Sequence, residues 1–430
     1  MKTASKKEEN SKINLSKLGI WLLYLSVTLE LLIVIVDKSN YINPIEGQLF
    51  RITFLLAAGK VLITRYSRRE WIWLLLFGVL GLVSYKATGR NEILRVVAFL
   101  AACKDVEIKK LLKYVFFITL GGCLLLIFLS VTGIYGELAW ETDFGRGYVQ
   151  IRYCLGLGHP NALHCMFLML VLLGLYLYQE RMRWYGYVGL AILNYGLFLL
   201  TDSKTGTMMA FCAILGAVLF RYIKGLEGKK WICAGVMLLF LGCVIFSVLA
   251  ADSRFAQPKD YWFENRLIGE LEMHLNGRIQ DLYYGSENRE GTTATWSLFS
   301  RPENDYYFDM GFVRLFYWYG IIPGIVCVLC QLWLIWQFSR RRDGMGLVMT
   351  VVLAVYTVVE AHIVSVYIGR NYLLFLLGMY MFYRIEAESS QREQTDQSPQ
   401  KRVEASEEYL WGCWRLVGKW GRKKRNETDK

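Results

Sequence analysis

The sequence predicts an all-α fold, that of a polytopic integral membrane protein with about 12 transmembrane helices and one large outer loop. Hydrophobic residues make up 54% of the 430 residues, and the mean hydropathy of +0.29 is too high for a soluble chain of this length. Apolar runs of about 20 residues, the length that crosses a bilayer, recur from end to end. Because backbone polar groups find no water inside lipid, these runs must form helices.

The predicted spans divide the chain into an arm, a membrane domain and a tail. Residues 1–17 are polar and basic and form a cytoplasmic N-terminal arm. The membrane domain covers 18–384, with the outer loop at 251–312, and 385–430 form a cytoplasmic tail with a basic aromatic segment. The spans are expected at 18–36, 49–64, 71–85, 93–103, 114–135, 162–178, 185–200, 207–222, 231–250, 313–337, 347–367 and 371–384.

The distribution of Lys and Arg sets the predicted orientation. With the N-terminus inside, the short inner loops hold 16 Lys and Arg residues and the short outer loops hold 7. The positive-inside rule favours this arrangement, in which both termini are cytoplasmic. The fourth span is short and contains Arg95, but omitting it would turn Arg340–Arg342 outward, so we keep it with Arg95 facing protein. The net charge of +12 is assigned to membrane orientation, and no nucleic-acid partner is expected.

Two further features bear on partners and cofactors. In the tail, residues 410–425 alternate tryptophans with cations, which suits an anionic membrane surface, although a solvated basic tail gives the same pattern. No Asp-x-Asp motif occurs, and the pair Cys327 and Cys330 lies mid-span without a nearby His. We therefore expect neither a metal site nor a cofactor.

The loop before the sixth span is the first candidate binding site. It carries Arg146 and Arg152, followed by His159-Pro160-Asn161, which is typical of a helix start with Asn161 as the cap. A helix N-terminus directs N–H groups at an anion, and an arginine can hold a phosphate through two hydrogen bonds. A capped helix with two arginines that extend to the membrane interface explains the same residues without a ligand.

Two other outer segments add cations. Lys204 lies in the turn 201–206, at the same predicted face as the preceding arginines, although this turn can simply cap the eighth span. In the large loop, His274 and Arg278 are four residues apart and share a face if residues 265–280 are helical. Nearby glutamates make a surface salt-bridge helix an equal interpretation.

The last three predicted spans carry polar residues near their outer ends. These are Asn304, Asp305, Arg314, Arg370 and Asn371. The eleventh span also holds Glu360 and His362. A carboxylate inside an apolar helix costs free energy and marks a site or a buried ion pair, whereas a single histidine is more often part of the core. We therefore include Glu360 among the candidate catalytic residues.

Short motifs along the chain carry a resemblance to a family. They are Arg152 to Asn161, Asp202-Ser203-Lys204-Thr205-Gly206, Leu275-Asn276-Gly277-Arg278, Glu303-Asn304-Asp305-Tyr306 and Tyr319-Gly320-Ile321-Ile322. In this order they resemble the bacterial O-antigen and capsule repeat-unit polymerases (Wzy-type), relatives of the O-antigen ligases, over roughly residues 114–384. The resemblance implies a metal-independent, inverting glycosyltransferase that polymerises undecaprenyl-pyrophosphate-linked oligosaccharides at the outer face of the bacterial cytoplasmic membrane.

The resemblance also implies roles for particular residues. Family arginines that bind the donor pyrophosphate match Arg152 and Arg278, while Lys204 stands where many relatives carry Arg, which weakens a bidentate contact there. The implied partners are the undecaprenyl-pyrophosphate-linked oligosaccharide, membrane lipids, a flippase and a chain-length regulator. The acceptor hydroxyl needs a base within hydrogen-bond reach, and the candidates are, in order, His159, His274 and Glu360.

Three other functions fit parts of the sequence. An O-antigen-type ligase shares the machinery and differs in its acceptor. A transporter would favour inverted repeats and discontinuous helices, and the sequence shows no internal repeat. A membrane scaffold explains the spans but not the outward arginines. A polysaccharide polymerase is therefore our expectation.

Overall fold

Helices make up most of the described part of the chain, which in this computed structural model comprises residues 2–143, 147–252, 266–284 and 290–382. The helices are α1 (Lys2–Lys38), α2 (Glu46–Ile63), α3 (Arg68–Thr88), α4 (Glu92–Ala102), α5 (Ile108–Val131), α6 (Pro160–Tyr178), α7 (Trp184–Thr201), α8 (Lys204–Tyr222), α9 (Lys230–Ala250), α10 (Arg266–Leu275), α11 (Arg278–Tyr284), α12 (Gly311–Tyr319), α13 (Ile321–Arg340), α14 (Gly344–Val359) and α15 (Tyr372–Met381). Between α5 and α6, strands β1 (Ala139–Asp143) and β2 (Val149–Tyr153) form an antiparallel hairpin, which the all-α prediction did not include. The tail 385–430 lies outside the described residues.

Eight of the described helices are long and apolar enough to cross a membrane. They are Leu15–Lys38 of α1 together with α3, α5, α6, α7, α8, α9 and α13. The prediction of a helical membrane protein is thereby confirmed. Helix α2 carries charged side chains, and α4, α14 and α15 contain only 11, 16 and 10 residues. The count of about 12 spans stays a prediction.

The tenth predicted span, 313–337, is wrong as a single helix. Helix α12 ends at Tyr319 and α13 begins at Ile321, with Gly320 between them at a φ of +97°. A Cβ on Gly320 would lie 2.6 Å from the Cα of Phe299, so a residue with a side chain would clash with the neighbouring loop as well as being strained. The break separates the short amphipathic helix α12 from the long apolar helix that follows it.

The eleventh predicted span, 347–367, is also too long. Helix α14 ends at Val359, and Glu360 follows it in an extended conformation. The chain from there to Asn371 is irregular apart from the short 3₁₀ turn Ile368–Arg370. Protein groups satisfy part of this backbone, since Arg95 donates a hydrogen bond to the carbonyl of Val366 at 2.9 Å. Glu360 is therefore a residue at the end of a helix rather than inside a span.

Arg95 faces protein, as predicted, because it forms a buried ion pair with Glu30 of α1. The distance between Arg95 Nη2 and Glu30 Oε1 is 2.6 Å, and both side chains are almost fully buried. Thr53 of α2 donates a further hydrogen bond to the same oxygen at 2.7 Å, and the Arg95 guanidinium lies 3.8 Å from the ring centroid of Phe50. The pair thus connects α1, α2 and α4.

The large loop contains two short helices instead of the one helix that would place His274 and Arg278 on a common face. Asn276 and Gly277 both adopt positive φ, at 56° and 84°, and this turn separates α10 from α11. A helix cannot pass through two consecutive left-handed residues, so that prediction is wrong. His274 ends up exposed near the end of α10, whereas Arg278 becomes the first residue of α11.

Helix α11 is held against the membrane domain by a cap and a hydrophobic face. The carboxylate of Glu272 accepts hydrogen bonds from the backbone N–H groups of Ile279 and Gln280 at 3.0 and 2.9 Å, which satisfies the N-terminus of the helix. Ile279 and Leu282 are buried in a cluster that includes Phe308 of the loop before α12. This packing fixes the position of Arg278.

Candidate active site

The β hairpin carries the first cation of the site. Arg152 lies opposite Trp140 in the hairpin register, and the Trp140 ring contacts the ring of His159 edge to face at a centroid distance of 5.3 Å. Gln150 lies on the same side of β2, and its Oε1 accepts hydrogen bonds from Arg152 Nε at 3.0 Å and Nη2 at 2.7 Å. Asp202 Oδ2 lies 3.4 Å from Nη2. Arg152 is therefore bound by protein acceptors on two different elements.

A buried polar network fixes the turn that contains Asp202. His164 of α6 is fully buried, and its Nδ1 lies 3.1 Å from Thr201 Oγ1 at the end of α7. Its Nε2 lies 3.0 Å from Asn194 Oδ1, also on α7. Thr201 directly precedes Asp202. The network therefore fixes the backbone beside the carboxylate that contacts Arg152.

His159, rather than Asn161, caps α6. Its Nδ1 accepts a hydrogen bond from the backbone N–H of Asn161 at 3.1 Å. Since this contact uses the lone pair of Nδ1, the proton of the neutral ring resides on Nε2. Burial lowers the pKa of His159, Arg152 and Lys38 lower it further, and Asp309 opposes them, so the ring is mainly neutral at pH 7.

This geometry makes His159 poorly suited to accept a proton as a general base. A general base needs an available lone pair, and the lone pair of Nδ1 is engaged in capping α6. Protonation of Nδ1 would turn the acceptor into a donor and leave the N–H of Asn161 without its partner. In the neutral ring Nε2 therefore carries the proton and acts as a hydrogen-bond donor, not as a base.

Arg278 joins the large loop to the end of α14. Its Nε donates to the carbonyl of Val359, and its Nη1 donates to the carbonyl of Leu275 at 2.9 Å. Its Nη2 donates to Glu360 Oε1 at 2.9 Å, and Asp309 Oδ2 lies 3.7 Å away from the same nitrogen. The guanidinium consequently orients the carboxylate of Glu360 from one side.

Glu360 uses only one of its two carboxylate oxygens in these contacts. Oε1 is bound to Arg278, whereas Oε2 accepts no hydrogen bond from the described residues, and 23% of the side chain is exposed. Burial first and Asp309 second raise the pKa of Glu360 to about 7, against the opposing effects of Arg278 and Lys38. A carboxylate with this pKa can accept a proton near neutral pH far better than an ordinary exposed glutamate.

The end of α1 supplies a carboxylate to another cation. Arg370 Nη2 donates to Asp37 Oδ2, and the guanidinium lies 3.9 Å from the ring centroid of Tyr367. The Tyr367 hydroxyl lies 2.6 Å from Asp37 Oδ1 and 3.0 Å from Glu46 Oε1. Lys38 follows Asp37 directly, and its Nζ is 4.0 Å from Asp37 Oδ2.

These contacts belong to one cluster, because Lys38 and Asp309 act on both His159 and Glu360 and shift the pKa of each. We call this cluster the polar site, and it comprises Lys38, Arg152, His159, Arg278, Asp309, Glu360 and Arg370. The sequence analysis missed Lys38 and Asp309. The only signal for them is that each is a charge close to the end of an apolar helix, which is also typical of a residue at the membrane interface.

Three of the predicted binding residues make contacts within the protein, and their binding role stays a prediction. Arg314 is only 1% exposed and lies between the rings of Tyr307 and Trp318, at 3.6 and 3.9 Å from their centroids. The Asn304 side chain donates to the carbonyl of Tyr317 and to the Ser300 hydroxyl, and so braces the loop before α12. Asn371 Oδ1 accepts the backbone N–H of Leu373 and thereby starts α15.

The remaining predicted residues lie around the polar site or away from it. Lys204 is exposed at the first residue of α8, two residues after Asp202. Asn161 is half-buried in the first turn of α6, and Asp305 is exposed. His274 is exposed and makes no hydrogen bond or ion pair with the described residues. Arg146 lies outside the described residues.

Comparisons with known proteins do not assign a family. No family model, no curated protein and no solved structure matches the chain. Within the described ranges, no group of three or more His, Cys, Asp and Glu side chains is placed to hold a metal ion.

Proposed function

We propose that this protein is a membrane glycosyltransferase that polymerises lipid-pyrophosphate-linked oligosaccharide repeat units into a surface polysaccharide, at the outer face of the bacterial cytoplasmic membrane. The supporting observation is the composition of the polar site. A glutamate with a raised pKa and an unused carboxylate oxygen lies among four cations in a protein rich in apolar, membrane-length helices. This is the chemistry needed to deprotonate a sugar hydroxyl and to stabilise a departing pyrophosphate.

Glu360 is the general base in this proposal. Its Oε2 takes the proton of the acceptor hydroxyl while the hydroxyl oxygen attacks the anomeric carbon of the donor sugar. The bond between that carbon and the pyrophosphate oxygen breaks, and the electron pair leaves with the lipid pyrophosphate. Attack from the side opposite the leaving group inverts the anomeric carbon. The proton on Glu360 then passes to solvent, which restores the carboxylate.

The cations act on the leaving group. Negative charge increases on the pyrophosphate oxygen as the glycosidic bond breaks, and preorganised positive groups stabilise that charge most strongly in a site of low water content. Arg152 and Arg370 are almost fully buried and held in place by protein acceptors, so they need little reorganisation during the reaction. His159, with its proton on Nε2, can donate a hydrogen bond to the same phosphate oxygens.

The test is the lipid-linked saccharide profile of cells that lack the protein. We expect single repeat units on the lipid carrier to accumulate and polymer to be absent, with both effects reversed by the wild-type chain. The Glu360→Gln variant should be present in the membrane in normal amounts and fail to restore polymer. Normal chains on the lipid carrier that are never attached to a final acceptor would instead identify a ligase. An unchanged profile would contradict both functions.

A further inference from the structure

Lys38 differs from the other cations of the polar site because none of the described residues accepts a hydrogen bond from it. Arg152 is bound by Gln150, and Arg278 is bound by Glu360. Arg370 is bound by Asp37. Lys38 Nζ makes no hydrogen bond to the described residues, and its closest ion-pair contact is Asp37 Oδ2 at 4.0 Å.

The carboxylate of Asp37 is already occupied by other donors. Arg370 Nη2 donates to Oδ2, and the Tyr367 hydroxyl lies 2.6 Å from Oδ1. Only 16% of the Lys38 side chain is exposed, so most of its stem is buried. An ammonium has three donors, and the described residues supply no acceptor for them. Water or a ligand is therefore the acceptor, and a phosphate oxygen fits this position.

Lys38 lies between the part of the polar site that contains His159 and the part that contains Arg370. It is the last residue of α1, and Asn40 of the following turn donates to the carbonyl of Gly158 at 3.1 Å, directly before His159. On the other side, the turn Ile368–Arg370 packs on α1, and its Arg370 reaches the residue next to Lys38. Lys38 lowers the pKa of His159 and that of Glu360, as expected for a charge placed between them.

A histidine beside Lys38 is also without a partner. His362 is only 6% exposed, and its ring makes no hydrogen bond to the described residues. Burial, Lys38 and Arg370 hold its pKa well below the ordinary value, so it adds hydrogen-bonding capacity but no charge. An anion that enters here would meet one ammonium and one neutral imidazole.

We propose that Lys38 binds a phosphate oxygen of the ligand and is a substrate-binding residue of the polar site. This inference rests on the proposed function for the identity of the ligand, a lipid pyrophosphate. The ammonium group of a lysine is a compact charge with donors in three directions. It can move with a phosphate group as the bond to the sugar breaks, whereas protein acceptors hold the arginine guanidiniums of the polar site in place.

The test measures binding to the purified full-length chain in lipid nanodiscs. The probes are undecaprenyl pyrophosphate, inorganic pyrophosphate and undecaprenol, which separate recognition of the phosphates from that of the chain. We expect Lys38→Met to weaken binding of undecaprenyl pyrophosphate by about 10- to 100-fold, the effect of losing one hydrogen bond to a charged group. Lys38→Arg should recover part of the affinity. The matched control is Lys86→Met, because Lys86 is an exposed lysine near the end of α3.

The outcomes separate this inference from the proposed function. Wild-type affinity in Lys38→Met overturns the role of Lys38 and leaves the polymerase proposal intact. Binding of inorganic pyrophosphate that depends on Lys38, without binding of the lipid, supports the phosphate contact and contradicts the polymerase. Failure of the wild-type chain to bind either phosphate probe overturns both.

Thermal unfolding without ligand distinguishes a binding role from a structural one. Because Lys38 makes no hydrogen bond to the described residues and its side chain is mostly buried, replacing it by Met should leave Tm unchanged or raise it. A lysine that served the helix dipole or an ion pair with Asp37 would lower Tm when replaced. Loss of affinity together with a lower Tm in Lys38→Met would therefore also contradict the inference.

Discussion

Arg278 and Glu360, 82 positions apart in the sequence, are joined by a hydrogen bond of 2.9 Å between Nη2 and Oε1. Arg278 starts a short helix of the large loop, and Glu360 follows the last residue of α14. The contact therefore couples the position of the loop to the orientation of the carboxylate. Oε2 of Glu360 accepts no hydrogen bond from the described residues, which is the property on which the proposed mechanism depends.

Replacing the proposed base should stop the reaction without removing the binding site. Glu360→Gln keeps the size of the side chain and an oxygen for Arg278, but it cannot accept a proton. We expect kcat on purified lipid-linked repeat units to fall by about 10²- to 10⁴-fold, with the affinity for undecaprenyl pyrophosphate changed little. The matched control, Glu137→Gln, alters an exposed glutamate near the hairpin and should behave as wild type. Polymer of normal length from Glu360→Gln would show that the base is another residue.

The pH dependence of the reaction distinguishes Glu360 from His159. The raised pKa of Glu360, about 7, means that its basic form increases as pH rises through 7. We therefore expect kcat to rise tenfold per pH unit below this value and to level off above it. The pKa of His159 is lowered, so a reaction that used its neutral ring as the base would already be on its plateau at pH 7. A flat profile between pH 6.5 and 8 would favour His159 and refute the assignment of the base to Glu360.

His159 should act as a donor, and a variant that preserves its capping role can show this. Asn is a favourable helix cap, so His159→Asn keeps the start of α6 while it removes the ring Nε2–H. We expect a loss of about 10-fold or more in kcat with the pH profile of the wild type, since the base is unaffected. Loss of the pH-dependent limb in this variant would instead assign the titrating group to His159.

Arg152 should contribute to ligand affinity through its planar geometry. Arg152→Ala removes the cation, and we expect the Kd for undecaprenyl pyrophosphate to rise by about 10- to 100-fold. Arg152→Lys should recover only part of this loss, because an ammonium cannot donate to Gln150 through two parallel nitrogens as Arg152 does. Arg183→Ala, a change at an exposed arginine before α7, is the control. Full affinity in Arg152→Ala would remove this residue from the binding site.

The buried pair of Arg95 and Glu30 should support the fold and not the chemistry. Arg95→Ala leaves a buried carboxylate without its partner and should lower the free energy of unfolding by about 3–5 kcal/mol. The double variant Glu30→Gln, Arg95→Met should regain much of the loss, because neither charge remains. Arg266→Ala breaks an exposed ion pair with Glu270 and should lower the free energy of unfolding by about 0–1 kcal/mol. Thermal unfolding of the purified single, double and control variants measures these differences. Equal destabilisation by the single and double changes would contradict this explanation.

The orientation predicted from charge is open to a direct measurement. A cysteine at Met273, which is 75% exposed on α10, should react with an impermeant thiol reagent from outside the cell. A cysteine at Lys224, between α8 and α9, should react only after the membrane is opened. Both are placed in a chain whose native cysteines have been replaced. The reverse pattern would place the polar site at the cytoplasmic face and contradict a reaction at the outer surface.

The sequence by itself determined most of the long apolar helices and most of the charged residues of the polar site. Long apolar runs are a local property, so α3, α5 and α9 could be located without knowledge of their neighbours. Arg95 and Glu360 were also identified, because placing a charge in lipid is unfavourable in free energy. Arg152 and Arg278 were identified because cations predicted at the outer membrane face suit an anionic ligand.

Only the tertiary structure decided how these residues are used. Asp37 and Arg370 are 333 positions apart, and no local pattern records that they meet or that Lys38 beside them makes no hydrogen bond to the described residues. The break at Gly320 depends on the approach of Phe299, and the proton position of His159 depends on the hydrogen bond to its Nδ1. Apolar periodicity reflects the surroundings of each helix segment separately, whereas hydrogen bonding and pKa depend on groups that the fold brings together from distant parts of the chain.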